Sequence, residues 1–212
     1  IIVRTAAMYH DIGKLKKPNY FSENQRSQAD KKTHSKLSPS MSCLIIRNHV
    51  KDGLELAKQN RLPQVIRDGI AQHHGTTLMR FFHERAKAQK KEDEELKEAD
   101  FRYAGPKPQT IEAAILMLAD AIEAASRTLE DNSPRSISRL VRGIINEKFA
   151  DNQLDECNLT MSDLHTLSKS FVDTLTSILH SRVSYPTGDN GKDNEDPGDE
   201  QPEPVPFPDQ TG

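Results

Sequence analysis

The sequence has too few cysteines to staple itself and no apolar run long enough to cross a bilayer. Its two cysteines, Cys43 and Cys157, exclude a disulfide framework and fit no zinc-ligand spacing, in keeping with a reducing compartment. The longest good apolar candidate, AAILMLA at 113–119, has seven residues, against the roughly 18 of a transmembrane helix, and the piece reads as soluble. Signal peptide and initiating methionine are both missing. Ile1 already stands inside an apparent helix, so the chain reads as a segment of something longer. No stretch alternates apolar and polar residues as a half-buried strand does, and no repeat is visible, which leaves an all-α bundle as the expected fold. With 212 residues, 34% of them hydrophobic, the chain can bury one sizeable core rather than two full domains.

The formal net charge of -3 conceals a division. The stretch from Pro186 to Gly212 holds eight acidic residues against one lysine, together with six of the twelve prolines. Its charge of -7 leaves +4 for the remainder. So little of it is large and apolar that burial cannot offset the entropy of ordering it. A domain over 1–185 followed by a disordered acidic, proline-rich tail over 186–212 is therefore expected. The mildly basic remainder suits an anionic ligand. A second charged stretch, Glu84–Asp100, mixes both signs in twelve of its seventeen residues; it reads as a solvated helix or insertion with no catalytic role.

Helix signals fill the rest. Ser38-Pro39 and Ser133-Pro134 are cap-then-proline starts, Thr110 opens a run with Glu112 at the positive end of the dipole, and Thr160 with Asp163 forms a capping box flanked by Leu159 and Leu164. Val65, Ile66 and Ile70 line one face of a helix ending at Gly75. Ile137, Leu140, Val141, Ile144, Ile145 and Phe149 form a core stripe, and Leu167, Phe171, Leu175 and Ile178 another. The stretch IIVRTAAM is mostly apolar, and Gly13 is expected to end its helix in the left-handed conformation. His10 and Asp11 then share the last turn, about 100° apart around the axis.

Polar residues on inward faces carry the chemistry. His49 follows Ile45 by four, His73 and His74 follow Ile70 by three and four, and Asp120 is the single polar residue of AAILMLADAI. A lone buried carboxylate is costly without a partner. Each has a plain structural reading: a hydrogen-bonded core histidine, a polar helix end at His10-Asp11, an ion pair between Asp120 and Arg127. A shared cation centre accounts for all of them at once, because imidazoles and carboxylates are the ligand set of borderline first-row divalent metals. His34 and His83 have no derivable role, and His165 and His180 read as surface or packing residues.

This constellation resembles the HD superfamily of metal-dependent phosphohydrolases. More closely, MYHDIGKLKKPNYF, KLSPS, QHHGTTL, FRYAGPKPQT, MLADAIEAASRTL, QLDECNLT and HSRVSYP are similar to the HD domain of the bacterial seven-transmembrane HD cyclic-di-AMP phosphodiesterases, over residues 1 to about 186. The resemblance implies an HD-domain helical bundle holding two divalent transition-metal ions, iron or manganese, which mixed imidazole and carboxylate donors do not distinguish. Asp11 would bridge them, His10 and Asp120 would serve the first, and His49, His73 and His74 the second. A metal-activated bridging hydroxide would open a cyclic dinucleotide, cyclic-di-AMP by the resemblance, to a linear one. Lys14 and Arg127 would meet the substrate phosphate. The family also uses a histidine on the preceding helix; nine residues precede His10, which leaves open a weakly held first ion and reduced activity of the fragment. Attachment to transmembrane segments, a place on the cytoplasmic side of the bacterial cell membrane and room for a homo-oligomer follow from the same resemblance; no DNA or RNA duplex is expected. The other readings are a non-catalytic HD module that binds nucleotide or metal, and an HD nucleotidase.

Overall fold

Polar caps set where the helices begin. Ser38 Oγ accepts the Met41 N–H at 3.2 Å, Thr110 Oγ1 accepts the Ala113 N–H at 3.2 Å, and Ser133 Oγ accepts the Ser136 N–H at 3.3 Å, each satisfying a donor that has no partner within the helix. Thr160 and Asp163 bond reciprocally, the Thr160 N–H to the carboxylate at 2.9 Å and the Asp163 N–H to the hydroxyl at 3.1 Å. The structure, a computed structural model, describes residues 1–21, 34–90 and 95–180. Within them lie seven α-helices: α1 Ile2–Tyr9, α2 Pro39–Gln59, α3 Gln64–Gln72, α4 Arg80–Gln89, α5 Ile111–Ser126, α6 Pro134–Ala150 and α7 Met161–His180. Short 3-10 turns follow α1 at Ile12–Lys16 and Pro18–Tyr20, precede α2 at His34–Lys36 and precede α5 at Glu98–Phe101. Among the described residues there is no strand, and one isolated bridge pairs Leu78 with Arg102. These helices belong to one unit, Ile1–Arg182. The second unit, Val183–Gly212, and with it the expected tail, lies outside the described residues, as do residues 91–94 of the charged stretch and the side chain of His180.

Two apolar clusters hold the helices together. Leu116 joins Ala6 of α1, Ala57 of α2 and Ile66 and Ile70 of α3 in one; Ala114, Met117, Leu118 and Ile122 join Ile137, Val141 and Ile145 of α6 and Leu164 and Leu175 of α7 in the other. Helix α5 is thus packed on opposite sides, which is why AAILMLADAI is apolar nearly all round. Fully burying side chains of the size of Leu, Ile or Met contributes roughly 1.5–3 kcal/mol each.

Four sequence expectations change. Gly13 does not end α1 in the left-handed region; among the described residues the positive-φ glycines are Gly75 (φ 53°) and Gly105 (φ 81°). The helix stops at Tyr9, and Gly13 sits buried in the 3-10 turn that follows. It is a glycine because the turn lies against α2: a Cβ there would stand 1.8 Å from the His49 carbonyl oxygen and 2.5 Å from the Gly53 nitrogen. Phe149 leaves the core stripe and is 53% exposed. The chain reverses just after it through Asn152 (φ 55°), a residue type that tolerates this conformation, and Leu154 returns into the core instead. Val65 is also exposed, because it lies about 100° from its buried neighbour Ile66 on α3, and so is Ile178, near the end of α7, where the buried face of that helix stops at Leu175.

The two kinds of glycine predict opposite responses. Gly13→Ala forces two backbones apart and lowers stability by about 1–3 kcal/mol or more. Gly143 stands mid-α6 with nothing within 4 Å of a Cβ, so Gly143→Ala raises stability by roughly 0.5–1 kcal/mol. Thermal unfolding midpoints check both signs.

Candidate metal centre

The turn after α1 carries Asp11 directly against the buried rings of α2 and α3. His10 caps α1, and Asp11 leaves helical geometry at φ -103°, ψ 11°. The Asp11 carboxylate faces two ways. Oδ1 lies 3.3 Å from His49 Nε2 and 3.7 Å from His73 Nε2, whereas Oδ2 lies 3.1 Å from His10 Nε2 and 2.7 Å from Lys14 Nζ. Asp120, on α5, approaches His10 Nε2 at 3.5 Å through Oδ1 and His74 Nδ1 at 3.8 Å through Oδ2. All six residues expected as ligands therefore converge, in two sets that share Asp11: Asp11 with His49, His73 and His74, and Asp11 with His10 and Asp120, the donor atoms of each set lying within 4.8 Å of one another.

Three of the rings are locked from behind. His10 Nδ1 faces the Ala7 carbonyl at 2.8 Å, His49 Nδ1 the Ile46 carbonyl at 2.6 Å and His73 Nδ1 the Ile70 carbonyl at 2.9 Å. A carbonyl only accepts, so each Nδ1 carries a hydrogen and donates it. In the neutral ring that leaves a lone pair on Nε2, aimed into the cluster. His49 Nε2 and His73 Nε2 then face each other at 3.2 Å with both rings almost fully buried. Two lone pairs at that distance repel, and a cation beside them turns repulsion into coordination. Asp11 Oδ1 is likewise shut off from solvent without a hydrogen-bond partner. The donor set and its unsatisfied atoms fit divalent metal ions.

Protonation follows the same division. Burial holds His74 well below the usual histidine range and lowers His49 to about 4, with the His73 ring adding to the effect on both. Both are neutral, the form a metal requires. Burial also opposes charge on His10, but hydrogen bonds to Asp11 and Asp120 outweigh it and raise the ring to about 10. Burial would raise Asp11 too, yet the His10 hydrogen bond, with the charge of Lys14, holds it well below the carboxylate range.

The cluster forms part of the wall of a cavity of about 780 Å³ that Lys14, Tyr20, Phe21, His34, Phe82, Tyr103 and Arg127 also line. Lys14 Nζ stands 5.3 Å from the centre of the Phe21 ring. Arg127 is half-exposed and paired with Glu123 at 2.9 Å, not with Asp120. His34 donates from Nε2 to the Tyr20 carbonyl at 2.8 Å. His83 is buried against Phe101, and His165 is exposed.

Comparison with known proteins agrees with this geometry. The model of the HD domain family matches residues 1–125. The chain belongs to the HD domain family. It is 44% identical over 186 residues to the cyclic-di-AMP phosphodiesterase PgpH of Bacillus subtilis (strain 168), covering 88% of this chain and 26% of that protein. Against PgpH of Listeria monocytogenes serotype 1/2a (strain 10403S) the identity is 42% over 186 residues, covering 88% and 25%. The HD domain of L. monocytogenes PgpH in complex with cyclic-di-AMP superposes with a TM-score of 0.78 at 42% identity, over 84% of this chain and 80% of that one. The chain thus spans about a quarter of the length of the curated relatives it matches.

Sequence reasoning missed what braces the His73-His74 turn of this HD domain. Thr76 donates its N–H to Gln153 Oε1 at 2.8 Å, and Gln153, fully buried, donates from Nε2 to Asp151 Oδ2 at 2.9 Å. Arg102 grips the Asp151 carboxylate with both terminal nitrogens, at 3.0 and 2.8 Å, and donates to the Thr76 carbonyl at 2.9 Å. Arg85, in the charged stretch, donates to the carbonyls of His34, Ser35 and Leu37 at 3.0–3.4 Å. Single polar residues in loops have no periodicity to betray them; the runs FRYAGPKPQT and QLDECNLT were legible only as resemblance.

Arg102→Met is expected to lower stability by about 1–2 kcal/mol at pH 7. Burial would raise Asp151, but Arg102 outweighs it and depresses the carboxyl. A depressed folded-state pKa stabilises above the ordinary carboxyl value of about 4 and loses that contribution as pH falls from there through the folded value. Denaturant unfolding from pH 7 downward should show the gap between variant and wild type closing below about pH 4.

Proposed function

We propose that this HD domain is a dinuclear-metal phosphodiesterase that opens cyclic-di-AMP to a linear dinucleotide. The observation that carries the reading is the Asp11 carboxylate: one oxygen faces His49 and His73, the other faces His10, beside Asp120, in the wall of a cavity large enough for a nucleotide ligand. The relatives' activity and the ligand bound by the L. monocytogenes HD domain support the choice of substrate. Iron and manganese both suit the donor set. When bound, two such ions supply a hydroxide nucleophile near neutral pH and spread the charge that builds on the phosphoryl and leaving oxygens.

The chain's own residues do the rest. Asp11 holds the two ligand sets at a fixed separation by giving one oxygen to each. The backbone bonds to His10, His49 and His73 keep their Nε2 atoms aimed inward before any ligand arrives, so that no ordering is left for the moment of reaction. Asp120 adds a second negative charge on the His10 side. Lys14, already at the Asp11 carboxylate, is the mobile cation that meets a phosphate oxygen, and Arg127 lines the same cavity on the α5 side. Tyr20, Phe21 and Phe82 offer ring faces and edges to the bases. The attachment to transmembrane segments and the cytoplasmic placement implied by the motifs belong to the same proposal.

Purified chain stripped with chelator and reloaded with Mn²⁺ or Fe²⁺ should convert cyclic-di-AMP to the linear dinucleotide, followed by chromatography; a loaded chain that leaves the substrate intact would sink the reading. Asp120→Ala should remove one equivalent of bound metal and cut turnover at least about 100-fold, about 2.7 kcal/mol in barrier. For Lys14→Ala, KM rises about 10-fold with metal content retained.

A further inference from the structure

His74 is held differently from the other three histidines of the cluster. His10, His49 and His73 each donate Nδ1–H to the carbonyl three residues back. His74 has no such bond among the described residues; its Nδ1 faces Asp120 Oδ2 at 3.8 Å. Without a backbone partner, neither tautomer nor ring angle is selected by the helix end. What His74 does have is Tyr103, whose ring lies over it at 4.1 Å between centroids and 24° between planes. The other aromatic contacts of the four rings are edge-on or tilted, His10 on His73 at 79° and Phe21 on His49 at 81° among them.

Tyr103 is itself fixed from outside the cluster. Its N–H donates to the Thr77 carbonyl at 3.1 Å, and the Met79 N–H donates to the Phe101 carbonyl at 2.8 Å. The strand-like stretch that follows the His73-His74 turn is thereby tied to the stretch that carries Tyr103. Arg102, between Phe101 and Tyr103, adds its bonds to Thr76 and Asp151. The turn bearing His74 and the ring that covers it therefore move as one piece.

We infer that Tyr103 is the positioning residue for His74, fixing the plane of that imidazole by face-to-face stacking where the other three rings use a backbone hydrogen bond. This rests on the metal-centre reading above. It predicts that the flat ring matters and the hydroxyl does not. A face-to-face neighbour confines a ring to its plane while leaving both nitrogens open, so His74 alone among the four stays free to offer either nitrogen.

Mn²⁺ titration calorimetry on the chelator-stripped full chain tests this, with the unfolding midpoint of the metal-free protein reporting the fold. Tyr103→Phe should bind within about twofold of wild type. Tyr103→Leu and Tyr103→Met remove the flat ring but keep bulk; either one, with its metal-free midpoint unchanged, should lose about 10- to 100-fold in affinity at one of two sites. Wild-type affinity in the folded Leu or Met variant overturns the inference, and so does a Phe variant as impaired as they are. A wild-type chain that takes up no Mn²⁺ overturns the metal centre as well, whereas wild-type uptake with unaffected variants overturns the stacking role alone.

Discussion

The site depends on two backbones touching. The 3-10 turn after α1 reaches α2 only because Gly13 has no side chain to stand against the His49 carbonyl and the Gly53 nitrogen. That approach sets the height at which Asp11, two residues earlier, meets His49 and His73. A displacement of the turn by the radius of one methyl group would carry the carboxylate out of reach of both rings. The contact is also part of the fold, since Ile12 packs on the cluster formed by Ala6, Ala57, Ile66, Ile70 and Leu116. Geometry at the centre and packing between α1, α2, α3 and α5 are therefore one constraint, and interiors this dense transmit a misfit instead of absorbing it.

Much of this was legible because helices make local patterns. Caps at Ser38, Thr110, Ser133 and Thr160 mark helix starts through short-range bonding, and they stand where the chain says they should. His49, His73, His74 and Asp120 were visible as polar residues breaking apolar stripes, and all four meet around Asp11 or His10. What was hidden depends on contacts between distant segments. The need for glycine at position 13 comes from a carbonyl 36 residues further on; a local reading assigns the same residue to a left-handed helix end. Gln153, Asp151 and Arg102 form a partly buried network across 77 residues of chain from Thr76 to Gln153, with nothing periodic to announce it. Phe149 failed as a core residue for a related reason: helical spacing predicts which face it shares, not that the chain reverses just after it at Asn152.

Electrostatics already places positive charge among the ligands. His10 is held charged by Asp11 and Asp120 against the pull of burial, so a proton supplies, within the set of His10, Asp11 and Asp120, some of the positive charge that a cation would bring. Lys14 supplies more from 2.7 Å away. On the function proposed here, metal uptake on that side competes with this proton, which Asp11 and Asp120 hold on the ring. On the other side His49 and His74 are already neutral, and no proton stands in the way. The two ligand sets thus differ in charge although they share Asp11.

The same asymmetry bears on stability. A pair of facing lone pairs at 3.2 Å and a buried carboxylate oxygen without a partner are unfavourable on their own, because buried polar groups left unpaired cost roughly 1–3 kcal/mol each. Selection for packing alone would replace them with apolar residues of similar volume, which are often as stable or more so. Occupancy reverses the sign: a ligand at 100 times its dissociation constant stabilises the native state by about 2.7 kcal/mol, enough to offset one such group entirely. The arrangement is thus one that packing does not explain and cation binding does.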